Sequence, residues 1–137
     1  MTDMKGLVVI LLFFVLLLST SCDPDVTVDY YVTNRTDREL EVKIFGHRDQ
    51  YNSIVQEYDT LIGQGERLNI YRFSSLGSGY TNPADTITVF DSIHVVKNGL
   101  RAITDFKKFE TWDYSEKTYK YGGGHYTYDL IIESDDF

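Results

Sequence analysis

Few residues in this chain have the type and spacing that chemistry needs. The one thiol is Cys22, preceded by Ser19-Thr20-Ser21 and, before those, by an uncharged run from Gly6 to Leu18. A thiolate is a nucleophile, so Cys22 is where a covalent group would attach. The histidines, His47, His94 and His125, stand in no His-x-His, Glu-x-x-His or Cys-x-x-Cys arrangement, so no metal site is predicted. Ser78 sits in Gly77-Ser78-Gly79, which lacks the longer Gly-x-Ser-x-Gly frame of a nucleophile elbow. Acids are scattered along the chain, and no pair of them can be assigned to glycoside hydrolysis. Asp23, Asp25, Asp135 and Asp136 would meet around a cation only if the two ends met, and they read as solvated tails. Gly122-Gly123-Gly124 has neither a following helix nor a Lys-Ser/Thr, so it reads as a hairpin turn rather than a phosphate loop. No catalytic residue and no cofactor is predicted, and the chain is expected not to be an enzyme.

The elements that would position Cys22 come first in the chain. Residues 7–18 are all apolar. Twelve residues of helix reach only about 18 Å, short of the roughly 30 Å hydrocarbon core of a bilayer. The run therefore suits the apolar segment of an export signal. Lys5 flanks it, and Ser19, Thr20 and Ser21 provide the small residues a peptidase needs. With cleavage between Ser21 and Cys22, the site resembles the processing site of bacterial lipoproteins, although Leu18 lies one position further from the cysteine than is usual there. The resemblance implies a signal peptide over residues 1–21, a lipidated tether over 22–25, and one domain over 26–137. It also implies palmitate-type acyl chains and a glyceride on the Cys22 sulfur. Each buried methylene contributes about 0.8 kcal/mol, and more than one chain makes the attachment effectively permanent. Affinity for the membrane then needs nothing from the domain itself.

Composition narrows the partners. Thirteen basic and 21 acidic residues give a net charge of −8, and removal of residues 1–21 takes away one acid, Asp3, and one base, Lys5, leaving it unchanged. An acidic domain repels the phosphate backbone, so nucleic acid is excluded as a partner. With a single cysteine no internal disulfide can form, so stability must come from packing and sheet hydrogen bonds.

Past the tether the pattern is that of short strands. Residues 26–33 are β-rich and partly alternating. A polar turn at 34–38 leads to 39–45, where Leu40, Val42 and Ile44 face one way and Glu39, Glu41 and Lys43 the other, and the two runs read as a hairpin. Phe45 falls out of phase and suggests a second covered surface near Gly46. Residues 53–62 form a weaker strand, and Gly63-Gln64-Gly65-Glu66 a turn. Residues 67–73 alternate, with Leu68, Ile70 and Arg72 assigned to one face and Tyr71 and Phe73 to the other. A loop is predicted at 74–85, strands at 86–90 and 92–96, a tight Asn98-Gly99 hairpin turn with its return strand at 100–103, and one helical or 3₁₀ turn within 105–115. The last hairpin joins 118–121 to 126–133. The fold class expected is an all-β, antiparallel, immunoglobulin-like sandwich of about seven to nine strands, with a small lipocalin-like barrel as the alternative.

Eleven tyrosines and eight phenylalanines make aromatics the other feature of note. If Tyr121 lies across from Tyr126, Tyr119 faces Tyr128, and four rings share one sheet face. That face is either core or a platform for a sugar or peptide. Tyr80, in the long loop, and Trp112, in the ambiguous segment, are the further candidates for ligand contact.

Several segments together resemble the small envelope lipoproteins of unknown function found in Bacteroides and other Bacteroidota. They are Asn34-Arg35-Thr36 after a first strand, the glycine turn before Arg67-Leu68-Asn69-Ile70, the stretch from Asp91 to Gly99, and a tyrosine-rich last strand ending in acids. The resemblance implies a β-sandwich held on a membrane through lipid on Cys22, with the outer membrane favoured and the leaflet open. It implies no chemistry. The function expected is non-enzymatic binding of a protein or glycan partner, or a structural role. The alternative is an inhibitor or immunity-type protein whose acidic surface blocks a target enzyme.

Overall fold

A computed structural model describes residues 25–48, 54–55, 57–76, 80, 86–120 and 122–137. Ser21, Cys22 and Tyr121 lie outside the described residues. The chain is all-β, with nine strands among those residues: β1 (Asp25–Asn34), β2 (Leu40–Arg48), β3 (Ile54–Val55), β4 (Tyr58–Ile62), β5 (Arg67–Leu76), β6 (Phe90–Lys97), β7 (Leu100–Arg101), β8 (Asp113–Thr118) and β9 (Gly124–Ile132). They form two sheets, ordered β5-β1-β9-β8 and β3-β2-β6-β7, with β4 also pairing β2. The sheets do not close into a barrel; they pack face to face as a sandwich. The antiparallel expectation has one exception, because β1 and β9 run parallel through the middle of the first sheet, from Val26 beside Gly124 to Asn34 beside Ile132.

The expected hairpin between β1 and β2 is instead a corner between the two sheets. Asn34 makes it. Its buried side-chain amide donates to the carbonyls of Arg38 (2.7 Å) and Ile62 (2.9 Å), and its side-chain oxygen accepts from the backbone N–H and hydroxyl of Thr36. Its backbone N–H donates to Glu66 and its carbonyl accepts from Gly65. A buried asparagine with every donor and acceptor satisfied fixes the chain's direction as it leaves one sheet for the other.

β5 carries a bulge. Tyr71 lies beside Tyr30 and Asn69 beside Tyr31, so the register skips Ile70. The extra residue reverses the phase of the strand. Leu68 and Ile70 face the core before the bulge, and Tyr71 and Phe73 face the same core after it. The sequence assignment of Arg72 to the Leu68 face is thereby corrected: Arg72 and Asn69, three apart, both emerge on the outer surface of the first sheet.

The last hairpin is also shifted from its expected register. β8 ends at Thr118, which lies beside Gly124, so Glu116 faces Tyr126 and Tyr114, not Tyr119, faces Tyr128. The turn forms early because Gly123 has φ +73° and its Cα packs against the backbone of Asp25. The Asn98-Gly99 turn forms as read, with φ of +52° and +80°, the left-handed pair that a two-residue hairpin requires. The ambiguous segment contains a 3₁₀ turn at Phe109–Thr111.

The core is one cluster spanning both sheets. Its centre is aromatic: Tyr30 stacks on Tyr128 at 4.8 Å and meets Phe90 and Trp112 edge-on. Leu40, Val42 and Ile44 of β2 face inward as the alternation required. Phe45 points the other way, half-buried, with its ring 4.7 Å from that of His94.

Candidate functional site

The aromatic residues singled out from sequence are mostly drawn inward. Tyr128 is fully buried, and its hydroxyl lies 2.5 Å from that of Tyr80, whose ring is 4.4 Å from Tyr126. Trp112 is 5% exposed and donates its indole N–H to the Phe106 carbonyl at 2.8 Å. A ring this deeply buried, packed against Phe90 and Tyr30, cannot also stack on a ligand, so the expectation of a surface contact at Trp112 is corrected. Burial pushes the hydroxyls of Tyr30 and Tyr128 well above the usual phenol range, helped by neighbouring tyrosines, and desolvation with the hydrogen bond to Glu116 does the same for Tyr114. Of the described candidates only Tyr119, at 47%, is substantially exposed. Of the four rings expected on one face, Tyr128 is core, Tyr126 is half-buried against it, Tyr119 is exposed, and Tyr121 lies outside the described residues; the expected Tyr119–Tyr128 pairing does not form.

The outer surface of the first sheet holds a constellation that sequence reading missed. Asp29 is 0% exposed although it points away from the core. It accepts hydrogen bonds from Asn69 Nδ2 (2.7 Å) and from Arg72 through Nε (2.6 Å) and Nη2 (3.1 Å), and its Oδ2 lies 2.7 Å from His125 Nε2. Burial alone would raise its pKa, but the hydrogen bonds from Arg72, His125 and Asn69 outweigh it and hold the carboxyl below the usual range. The β5 bulge supplies Asn69 and Arg72, and the parallel β9 supplies His125. One carboxylate thus fastens three strands. A second clasp lies on the same surface: Asp129 accepts from Thr33 and pairs with Arg67 at 2.8 Å, and Arg67 lies over the Tyr31 ring. An acid at position 29 amid β-formers was the visible signal; its partners were not legible. With two Arg72 nitrogens and one His125 nitrogen engaged on Asp29, the arrangement acts as a structural clasp.

The surface open to a partner is elsewhere. Pairing sets Leu61, Glu41, Val96 and Arg101 in a row across β4, β2, β6 and β7. At the end of that row a shallow groove of about 360 Å³ is lined by residues including Arg38, Glu41, Leu61, Val96 and Asn98. A second groove, of about 350 Å³, runs beside β7 past Ser92, Arg101, Ile103 and Lys107. Leu61, Leu100 and Ile103 stand well exposed around the two. These apolar side chains lie toward one end of the sheet, spread from β4 to β7 with charged groove residues between them, a mixture of types that protein-binding surfaces share.

No protein-family model, curated protein or solved structure matches this chain. Among the described residues no group of three or more His, Cys, Asp or Glu side chains is placed to hold a metal ion. None of the helices among them is long and apolar enough to cross a membrane.

Proposed function

We propose that the chain is a lipid-anchored protein of the cell envelope that binds a protein partner, without catalysis, through the end of the second sheet where Leu61 of β4, Leu100 of β7 and the following Ile103 are exposed. The observation that carries this reading is the exposure of Leu61, Leu100 and Ile103 at the end of the sandwich opposite Asp25. β1 begins at Asp25, three residues after Cys22, so this end would face away from the anchor. The ten residues of β1 separate the two ends by roughly 30 Å at about 3.3 Å per residue. A protein partner is favoured over a glycan because Trp112 and Tyr128, two of the rings a sugar would need, are spent in the core.

The test is co-purification from detergent-solubilised membranes. The acylated chain should recover a dominant stoichiometric partner, and Leu100→Arg or Ile103→Glu should lose it while folding normally. Recovery unaffected by either substitution would remove this end from the function. The inhibitor reading uses the same end with the chain's negative charge; it gains support if the partner is a basic enzyme whose activity the complex suppresses.

A further inference from the structure

The opposite end of the sandwich carries its own exposed apolar residues, and their place relative to Cys22 is informative. Asp25, the first residue of β1, lies between two of them. On one side it pairs with Leu76, which is 75% exposed. On the other it abuts Gly123, whose carbonyl accepts from the Tyr119 N–H at 3.3 Å, and Tyr119 is the exposed aromatic of that turn. Lys117 and Lys120 are exposed on the same hairpin. An exposed leucine and an exposed tyrosine flanking one point, with lysines beside them, have the residue types of a membrane–water interface: aliphatic side chain inward, tyrosine at the headgroups, lysine reaching phosphate.

The chain length between anchor and domain decides whether this end can reach a bilayer. Three peptide units separate Cys22 from Asp25, and at about 3.6 Å each they span at most about 11 Å. A headgroup layer is itself roughly 5–7 Å deep. A lipid-bearing Cys22 would therefore hold Asp25 within or just above the headgroups, and Leu76 and Tyr119 with it.

We propose that this end seats directly on the lipid bilayer, with Leu76 and Tyr119 entering the interface on either side of the tether, so that the sandwich stands upright and the end carrying the β6–β7 turn points away from the membrane. This rests on the acylation of Cys22 proposed above. The acyl chains supply affinity; the seat supplies orientation, which a three-residue tether alone leaves free to tilt. Asp25 and Glu116 offset the two lysines in charge, so the contact depends on Leu76 and Tyr119 rather than on net attraction.

The experiment uses the full chain, processed in bacterial membranes and reconstituted in phosphatidylethanolamine–phosphatidylglycerol vesicles with or without acyl-brominated phosphatidylcholine. Trp112 is the only tryptophan and is buried, so it provides a constant background. Tyr119→Trp and Leu76→Trp each replace an exposed residue and leave the core intact, so either reports if the other misfolds. Both should lose most of their added emission to the brominated lipid, whereas Leu100→Trp, at the far end, should lose none. Intact mass reports acylation separately. Acylated protein in which neither tether-end tryptophan is quenched, or in which Leu100→Trp is quenched equally, overturns the upright seat and leaves the anchor standing. Protein that carries no acyl mass on Cys22 overturns the anchor, and the seat with it.

Discussion

Arg72 grips the buried carboxylate of Asp29 with two nitrogens, and it can do so only because β5 skips one residue at Ile70. In a regular strand Asn69 and Arg72 would lie on opposite faces, and one of Asp29's partners would be lost to the core side. The bulge makes an acid in the central strand affordable.

Replacing Asp29 with Ala should therefore destabilise the domain by about 2–3 kcal/mol, the net worth of hydrogen bonds to a buried charge, moderated because the partners can turn to water. Urea unfolding of the two proteins measures it.

The same carboxylate predicts an acid response. Its folded pKa lies below the ordinary value of 3.8, so its stabilising effect is complete above that value and is lost as pH falls through the lower folded value. Wild type should lose stability more steeply below about pH 4 than Asp29→Asn, which has no proton to take up there. Equal slopes in denaturant titrations across that range would remove Asp29 from the acid response.

Gly123 and Gly65 offer a paired test of close approach. Both have φ near +74°, but a Cβ on Gly65 meets nothing within 4 Å, whereas one on Gly123 would stand 2.2 Å from the Asp25 carbonyl oxygen. Gly65→Ala should cost about 1–2 kcal/mol, the left-handed penalty alone. Gly123→Ala should cost clearly more, because the β1 backbone must also move. Thermal unfolding of the two variants separates the terms.

The buried tyrosines predict an alkaline limit. Burial and neighbouring hydroxyls raise Tyr30 and Tyr128 above the ordinary 10.0, and desolvation together with Glu116 raises half-buried Tyr114. A raised folded pKa leaves stability complete below the unfolded value and erodes it as pH rises beyond. In a phenolate absorbance titration these rings should ionise late, together with the loss of near-ultraviolet circular dichroism.

Local signals were legible and long-range ones were not. The alternation of Leu40, Val42 and Ile44 and the Asn98-Gly99 turn depend on neighbours in sequence, and both formed as read. The hairpin expected after β1 failed because a polar turn and a polar corner use the same residues; what distinguishes them is Asn34 reaching Ile62 and Glu66, far along the chain. Two inward phases in β5 looked like two faces, since a skipped residue leaves no mark on composition. The Tyr119–Tyr128 pairing failed for a similar reason: the contact of Gly123 with Asp25 sets the register, and the glycine run alone permits several. Exposed Leu61 of β4 and Leu100 of β7 carry no motif and emerge only once the sheet assigns them a surface.

The parallel neighbours at the heart of the first sheet have a consequence for how the molecule is made. β1 is the first described strand and β9 the last, and every link between the β5 and β8 sides of that sheet passes through their contact. Before β9 emerges, a nascent chain can pair β1 only with β5, a two-stranded ribbon of marginal stability. Contacts so distant in sequence also form slowly. The first sheet of such a polypeptide therefore cannot close across its middle until β9 has been made, so the last described strand sets when the two halves of that sheet become one.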